Sequence, residues 1–279
     1  MKEKLKEELN NKIKNKKLRI FISYFIIFIL IIPLFYLLIW SFTEKWPWPF
    51  LLPQEFSLES WLYFFDPRSG AIKALFISFV IALGVTIIAL LISIPAGKAL
   101  GLYDFYGKEF IKFLVLAPII VPPLAVSMGI HINFIRFGLA GRITGVILVH
   151  LIPTIPYSIK ILTDVFSALG EKIEEQARVL GANRWKCFIY VTLPLIKSGI
   201  ISAGTMVFII SFSQYFLTFL IGGGRVITFP MVLFPLIETG NRSLASVYSW
   251  VFIIAALIFT IIIEKVFKNK KFRKDYLHL

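Results

Sequence analysis

A lone cysteine, Cys187, leaves the chain no intrachain disulfide and no multi-cysteine metal centre. It reads as a small apolar residue within a helix. Acidic residues are scarce, 16 Asp plus Glu against 30 Lys plus Arg, and the long apolar stretches hold no clear mid-segment carboxylate. A secondary transporter or channel working without an ATPase would call for intramembrane carboxylates or an inverted repeat, and neither is evident. No G-x-x-x-x-G-K-[ST] phosphate loop occurs. The nearest glycine cluster, Gly222-Gly223-Gly224-Arg225, lacks the Lys-Ser/Thr partner and reads as a flexible turn.

What the chain does have is apolar length. Of 279 residues 58% are hydrophobic and 16% aromatic, with a mean hydropathy of +0.82. A soluble domain breaks its apolar runs with charge well before ~18 residues. Here long uncharged runs repeat, which predicts an all-α polytopic membrane protein. Six spans are expected, over residues 20–42, 72–97, 110–132, 143–163, 198–221 and 245–267, each able to cross ~30 Å of hydrocarbon.

The net charge of +14 is segmental. Segments 1–19, 98–112, 160–197 and 264–279 carry 23 of the 30 Lys plus Arg, and the alternate loops carry 6. That asymmetry is the positive-inside pattern, so both termini and the 160–197 loop are expected in the cytoplasm. No basic-aromatic recognition pattern accompanies the charge, which argues against nucleic acid as a partner. The expected organisation is a basic cytoplasmic tail (1–19), a first helix and outer loop (20–70), a core (71–267) containing a cytoplasmic loop (164–197), and a second basic tail (268–279). No small-residue cleavage site follows the first tail, so span one is read as a retained helix. Trp46, Trp48 and Trp61, among Pro47, Pro49 and Pro53, suit an outer interfacial segment.

Several residues inside the spans carry weaker signals. Pro118, Pro122 and Pro123 interrupt the third span, and Pro153 and Pro156 the fourth. They read as structural kinks or as paired kinks shaping a path. Gly84, Ala89, Ala96, Gly97, Gly199, Ala203 and Gly204 permit close helix packing. His131 and His150, near the outer ends of spans three and four, lack a carboxylate ligand set for a metal, a proton relay or an enzyme centre. Ser211, Ser213, Gln214, Tyr215 and Thr218 cluster polar atoms in span five, either lining a path for a polar solute or bonding between helices.

A long polar insert between spans runs from Glu174 to Pro194. Ile173, Ala177 and Leu180 fall at helical spacing on one face. Gly181 breaks that helix, since glycine readily takes the left-handed conformation. A second helix restarts at Asn183 and stops or kinks at Pro194, where a backbone donor is missing. A helix, a turn and a helix outside the lipid make a protruding knob suited to docking.

Glu175, Ala177, Gly181, Leu193 and Pro194 fall at the spacing of the EAA motif, so the chain resembles the permease subunits of binding-protein-dependent ABC importers of type I. Gln176 replaces the usual first Ala and Val191 the usual Ile, while the glycine turn and Leu-Pro ending stand. Residues 71–265, including Ala96-Gly97-Lys98-Ala99-Leu100 and Leu116-Ala117-Pro118, look like the five-helix core of that family with one helix in front.

The resemblance implies a non-catalytic subunit in the cytoplasmic membrane of a prokaryote. Its knob helix, about 167–180, would dock on a separate ATP-binding subunit through Glu174, Glu175, Ala177, Gly181, Ala182, Leu193 and Pro194. It also implies a second permease subunit and an extracytoplasmic solute-binding protein, with ATP and Mg on the ATPase and no cofactor on this chain. The stretch Ser211–Thr218 looks most like the spermidine/putrescine-type branch, whose relatives also handle thiamine, phosphonate or iron.

Overall fold

The protein is described from a computed structural model covering residues 2–121 and 123–267. The expected tail 268–279 and Pro122 lie outside the described residues. Helices dominate, as they must where lipid offers no partner for backbone N–H and C=O groups. The chain forms two compact units, one running to Asp66 and joined by Leu236–Val251, the other formed by Pro67–Pro235 and the helix from Phe252 onward.

The first unit begins with α1 (Lys2–Ser41), whose apolar stretch Arg19–Ser41 is 23 residues long. Side chains from Ile20 to Phe35 are almost all exposed, so this stretch presents apolar surface all round. After it, β1 (Thr43–Lys45) and β2 (Glu55–Phe56) pair antiparallel, with Lys45 and Glu55 bridged at 2.8 Å. Two of the three expected interfacial tryptophans make ring contacts there: Trp46 stacks on Trp40 at 5.1 Å and Trp61 on Phe42 at 5.8 Å, while Trp48 is 91% exposed. Helix α2 (Glu59–Phe65) sets Phe64 edge-on to Tyr248 at 5.2 Å, and the hydroxyls of Ser60 and Ser243 meet at 2.7 Å.

The second unit is built on α3 (Ala71–Leu102), followed by α4 (Lys108–Ile120), α5 (Pro123–Arg136) and α6 (Ile143–Leu169). The short helices α7 (Lys172–Val179), α8 (Arg184–Cys187) and α9 (Leu193–Leu195) come next. Then follow α10 (Lys197–Phe212), α11 (Phe216–Gly222), α12 (Phe229–Glu238) and α13 (Arg242–Phe267), the last two straddling the unit boundary. Ile81, Val85 and Ala89 of α3 interlock with Val146 and Val149 of α6, Val207 of α10 and Ile221 of α11. A second cluster joins Ala82 to Phe208, Phe212 and Phe259.

Small residues set the closest approach. A Cβ on Gly97 would lie 2.7 Å from Leu162 Cβ, and one on Gly101 would lie 2.7 Å from both Phe166 Cβ and the Thr163 carbonyl oxygen. Gly97 fulfils the packing role expected of it, and Gly101 extends the contact by one turn.

The expected count of six spans is not confirmed. Among the described residues four unbroken helices are long and apolar enough to cross a membrane: Arg19–Ser41, Ala71–Leu102, Ile143–Leu169 and Arg242–Lys265. The bent pair Arg184–Leu195 and Lys197–Phe212, at 69°, raises this to five if taken as one span. The expected third span is two helices, α4 and α5, because consecutive prolines follow Val121 and remove helix donors. The expected fifth span ends at Phe212 and restarts at Phe216. The fourth, by contrast, is not interrupted: α6 runs through Pro153 and Pro156 and continues to Leu169. Between those prolines, the Thr154 hydroxyl donates to the carbonyl of His150 at 2.8 Å.

Replacing Gly101 with Val should lower the thermal midpoint of the detergent-solubilised protein, because overpacking typically costs about 1–3 kcal/mol. An unchanged midpoint would show that α3 and α6 separate freely there.

Candidate functional site

The insert expected to dock is a helix, a turn and a helix, but its boundaries differ from expectation. Gly170, at φ 72°, ends α6 after Leu169, so Ser167–Leu169 belong to the long helix and α7 is only eight residues. At its end Gly181 takes φ 87°. The Gly181 N–H donates to the Arg178 carbonyl at 2.9 Å, and the Ala182 N–H to the Ala177 carbonyl at 3.0 Å. This pair of bonds is the Schellman termination, with glycine at the left-handed position. Ala177, Gly181 and Ala182 are therefore the residues through which the helix closes on itself. The chain restarts at Asn183, whose Oδ1 accepts from the Lys186 N–H at 2.8 Å and caps α8.

One residue holds this element to the membrane-spanning core. Glu174 is 5% exposed, and both its carboxylate oxygens accept from Lys98 Nζ at 2.6 Å. The Thr192 hydroxyl donates to Oε1 at 2.6 Å, and Arg178 lies 3.4 Å from Oε2. Burial pushes this carboxyl up, but the hydrogen bonds from Lys98 and Thr192 and the charges of Lys98 and Arg178 outweigh it and hold it below the ordinary 4.5. Lys98 sits near the end of α3, Glu174 on α7, and Thr192 in the π-helical turn Phe188–Thr192. Three chain segments thus meet at one carboxylate. Buried Cys187 closes the arrangement, its thiol 3.8 Å from the Glu174 carbonyl.

The neighbouring glutamate does the opposite. Glu175 is exposed, as are Glu171 and Gln176. Leu180 is not on an inward face with Ile173 and Ala177, because α7 stops at Val179 and the Schellman turn swings Leu180 out; it is 88% exposed. Val179 at 87%, Trp185 at 75% and Tyr190 at 74% add to an apolar rim. Leu193 and Pro194 are half-buried, at the bend leading into α10.

The polar cluster of the expected fifth span divides in two. Ser211 and Thr218 face inward and bond the two ring nitrogens of His150, each at 2.9 Å. His150, eight residues into α6, is 1% exposed and packed among the helices. Ser213, Gln214 and Tyr215 occupy the break between α10 and α11; Ser213 is exposed, and Tyr215 stacks on Phe234 at 4.4 Å. A cavity of about 400 Å³ lies close by in sequence, lined by Ala117, Pro118, Val121, Ile152, Pro153 and Leu217 among others. Prolines of the third and fourth expected spans thus share one apolar cavity. Among the described residues no group of three or more His, Cys, Asp or Glu is placed to hold a metal.

Residues 89–269, which include the knob, its Lys98 anchor and the helix break, match the family of binding-protein-dependent transport system inner membrane components. The chain belongs to that family. A molybdate/tungstate transport system permease protein of Thermococcus kodakarensis is 33% identical over 135 residues, 48% of this chain and 54% of that protein. The match thus spans about half the length of that relative. A putative 2-aminoethylphosphonate transport system permease protein of Salmonella paratyphi A is 26% identical over 248 residues, 88% of this chain and 91% of that one. The crystal structure of a bacterial ABC transporter involved in alginate import contains a chain with the same fold, at a TM-score of 0.71 and 15% identity, covering 92% of this chain and 97% of that one.

The Lys98–Glu174 pair makes the knob's attachment sensitive to acid. The depressed carboxyl contributes stability above the ordinary 4.5, and that contribution is lost as pH falls through 4.5 toward the lower native value. The protection of α7 amides, measured as exchange corrected for its intrinsic pH dependence, should fall over that window in the wild type and show no such pH step in Glu174→Gln. At neutral pH, Glu174→Gln should cost up to about 3 kcal/mol by stranding Lys98, and the double change to Met at both positions should cost less. Equal costs for single and double variants would argue against the pair.

Proposed function

We propose that this chain is the membrane-spanning permease subunit of an ABC importer. It forms half of a translocation path and is driven by ATP hydrolysis on a separate ATP-binding subunit. The observation that carries the reading is the knob: a short helix ended by a Schellman turn, with an exposed apolar rim outside the spans. Large exposed apolar patches mark partner contacts. Val179, Leu180 and Trp185 would enter a cleft on the ATPase, with Glu175 at the edge as the charged contact. Glu174 has a different task, since its buried carboxylate is already committed to Lys98 and Thr192. It anchors the docking helix to α3, so that displacement of the knob is passed to the core.

The remaining partners follow from the same reading. The path is completed by a second permease subunit, identical or homologous, and an extracytoplasmic binding protein delivers the solute. ATP and Mg belong to the ATPase; this chain is non-catalytic and binds neither. The Lys and Arg distribution supports a cytoplasmic side for the knob and both termini, in a prokaryotic cell. Ser213, Gln214 and Tyr215 line the path, since non-helical backbone at membrane depth is stable only when buried in protein or facing a water-filled cavity. The relatives named for molybdate/tungstate and 2-aminoethylphosphonate favour an oxyanion or phosphonate as cargo, and they lend polyamine no support.

Two variants test the docking role. Gly181→Val forces a β-branched residue into φ 87°, and Leu180→Asp places charge on the rim while leaving Lys98–Glu174 in place. Both chains should insert in the membrane, yet retain roughly a tenth or less of the co-purifying ATP-binding subunit, a loss of about 1.4 kcal/mol or more. Undiminished co-purification with normal uptake would overturn the reading.

A further inference from the structure

The break between α10 and α11 is crossed by a hydrogen-bond chain whose direction can be worked out atom by atom. The Thr218 hydroxyl has one proton, and its 3.0 Å bond to the Gln214 carbonyl uses it. Thr218 Oγ1 must therefore accept from His150 Nε2 at 2.9 Å, so Nε2 carries the imidazole proton. A second ring proton would leave a cation in a fully buried site with only hydroxyls as partners, which is costly. Nδ1 is then an acceptor, and Ser211 donates to it at 2.9 Å. The chain runs Ser211 O–H to His150, His150 N–H to Thr218, Thr218 O–H to the Gln214 carbonyl. It starts on the last turn of α10, passes through α6 and ends in the unwound segment itself.

The break frees carbonyls that a continuous helix would satisfy, and an unpaired one at this depth is unstable. Thr218 supplies the partner for Gln214, and His150 fixes Thr218. We propose that His150 is a positioning residue that holds the Ser213–Tyr215 segment in its unwound shape, so that Ser213 is presented to the passing solute while Gln214 is kept half-buried behind it. The proposal rests on the reading that this segment lines the path.

The test uses the assembled complex of permease and ATP-binding subunit in proteoliposomes, with Cys187 changed to Ala and single cysteines introduced as Ser213→Cys or Gln214→Cys. The probe is a membrane-impermeant maleimide. With His150 present, Ser213→Cys should label readily and Gln214→Cys slowly. Adding His150→Ala should raise the Gln214→Cys rate about tenfold, the population shift expected from one lost buried hydrogen bond. Ser211→Ala combined with Thr218→Val removes the same bonds while keeping the imidazole and should do the same. His150→Gln, which retains a donor and an acceptor, should restore slow labelling. Failure of both cysteines to label in the His150 background would overturn the path assignment; labelling that ignores all the staple variants in assembled complexes would overturn the role of His150. A separate readout needs no solute. The chain has only three histidines, so nitrogen-15 spectra of histidine-labelled protein, assigned by the signal lost in His150→Gln, should show His150 protonated at Nε2 alone. A proton on Nδ1 would contradict the chain.

Discussion

The arrangement depends on one buried carboxylate. Glu174 could not be taken out of water without compensation, because an isolated buried charge costs several kcal/mol. Compensation comes from Lys98 at 2.6 Å to both oxygens and from the Thr192 hydroxyl at 2.6 Å. Since those partners lie on different segments, satisfying the carboxylate fixes α7 against the end of α3 and against the turn leading into α10. The α3 end is itself seated on α6, where Gly97 and Gly101 leave no room for side chains against Leu162 and Phe166. The knob is thus fastened, through one ion pair and one close helix contact, to the helices that carry the core of the second unit.

That fastening gives the two glutamates of the knob different work, although they are adjacent in sequence. Glu174 points inward to its ion pair; Glu175, Val179 and Leu180 are exposed, and in the proposed reading they make the contact that Glu174 transmits. An eight-residue helix is too short to be stable alone. Its capping bonds at Gly181 and its anchor at Glu174 supply what length does not. At the other end of α10, the His150 chain plays a comparable part, supporting a segment whose backbone is not helical. Two irregular elements, one at each end of the same helix, are each held by a small polar network inside an otherwise apolar unit.

Much of this was legible in the sequence, for physical reasons that also explain the rest. Helices α3, α6 and α13 announce themselves because uncharged apolar runs of that length have few other stable forms. Gly181 was legible as a turn because only glycine takes φ 87° without strain, and Asn183 lies where a cap is needed. The prolines of the third expected span were legible as an interruption, but not that the helix would end at Ile120 and restart at Pro123, since hydropathy is blind to a break flanked by apolar residues on both sides. Nor were the fates of Ser211 and Thr218, which a one-dimensional reading cannot distinguish from Ser213 and Gln214. Only the tertiary placement of His150, eight residues into α6, separates the pair turned inward from the pair in the break. Lys98 and Glu174 stand 76 positions apart, and their attraction becomes visible only when the helices are assembled. Leu180 misled for a local reason: the helical period was extended one residue past the point where the Schellman turn ends it.

The most direct measurement is a charge swap across the anchor in the assembled importer. The ratio of solute uptake to ATP hydrolysed, with molybdate and 2-aminoethylphosphonate as probe solutes, would be compared among wild type, Lys98→Glu, Glu174→Lys and the double exchange. If the pair transmits motion from the ATPase to the core, each single reversal loses coupled uptake while hydrolysis persists, and the double exchange recovers a substantial part of it. Coupled uptake that survives either single reversal in a fully assembled complex would contradict the account.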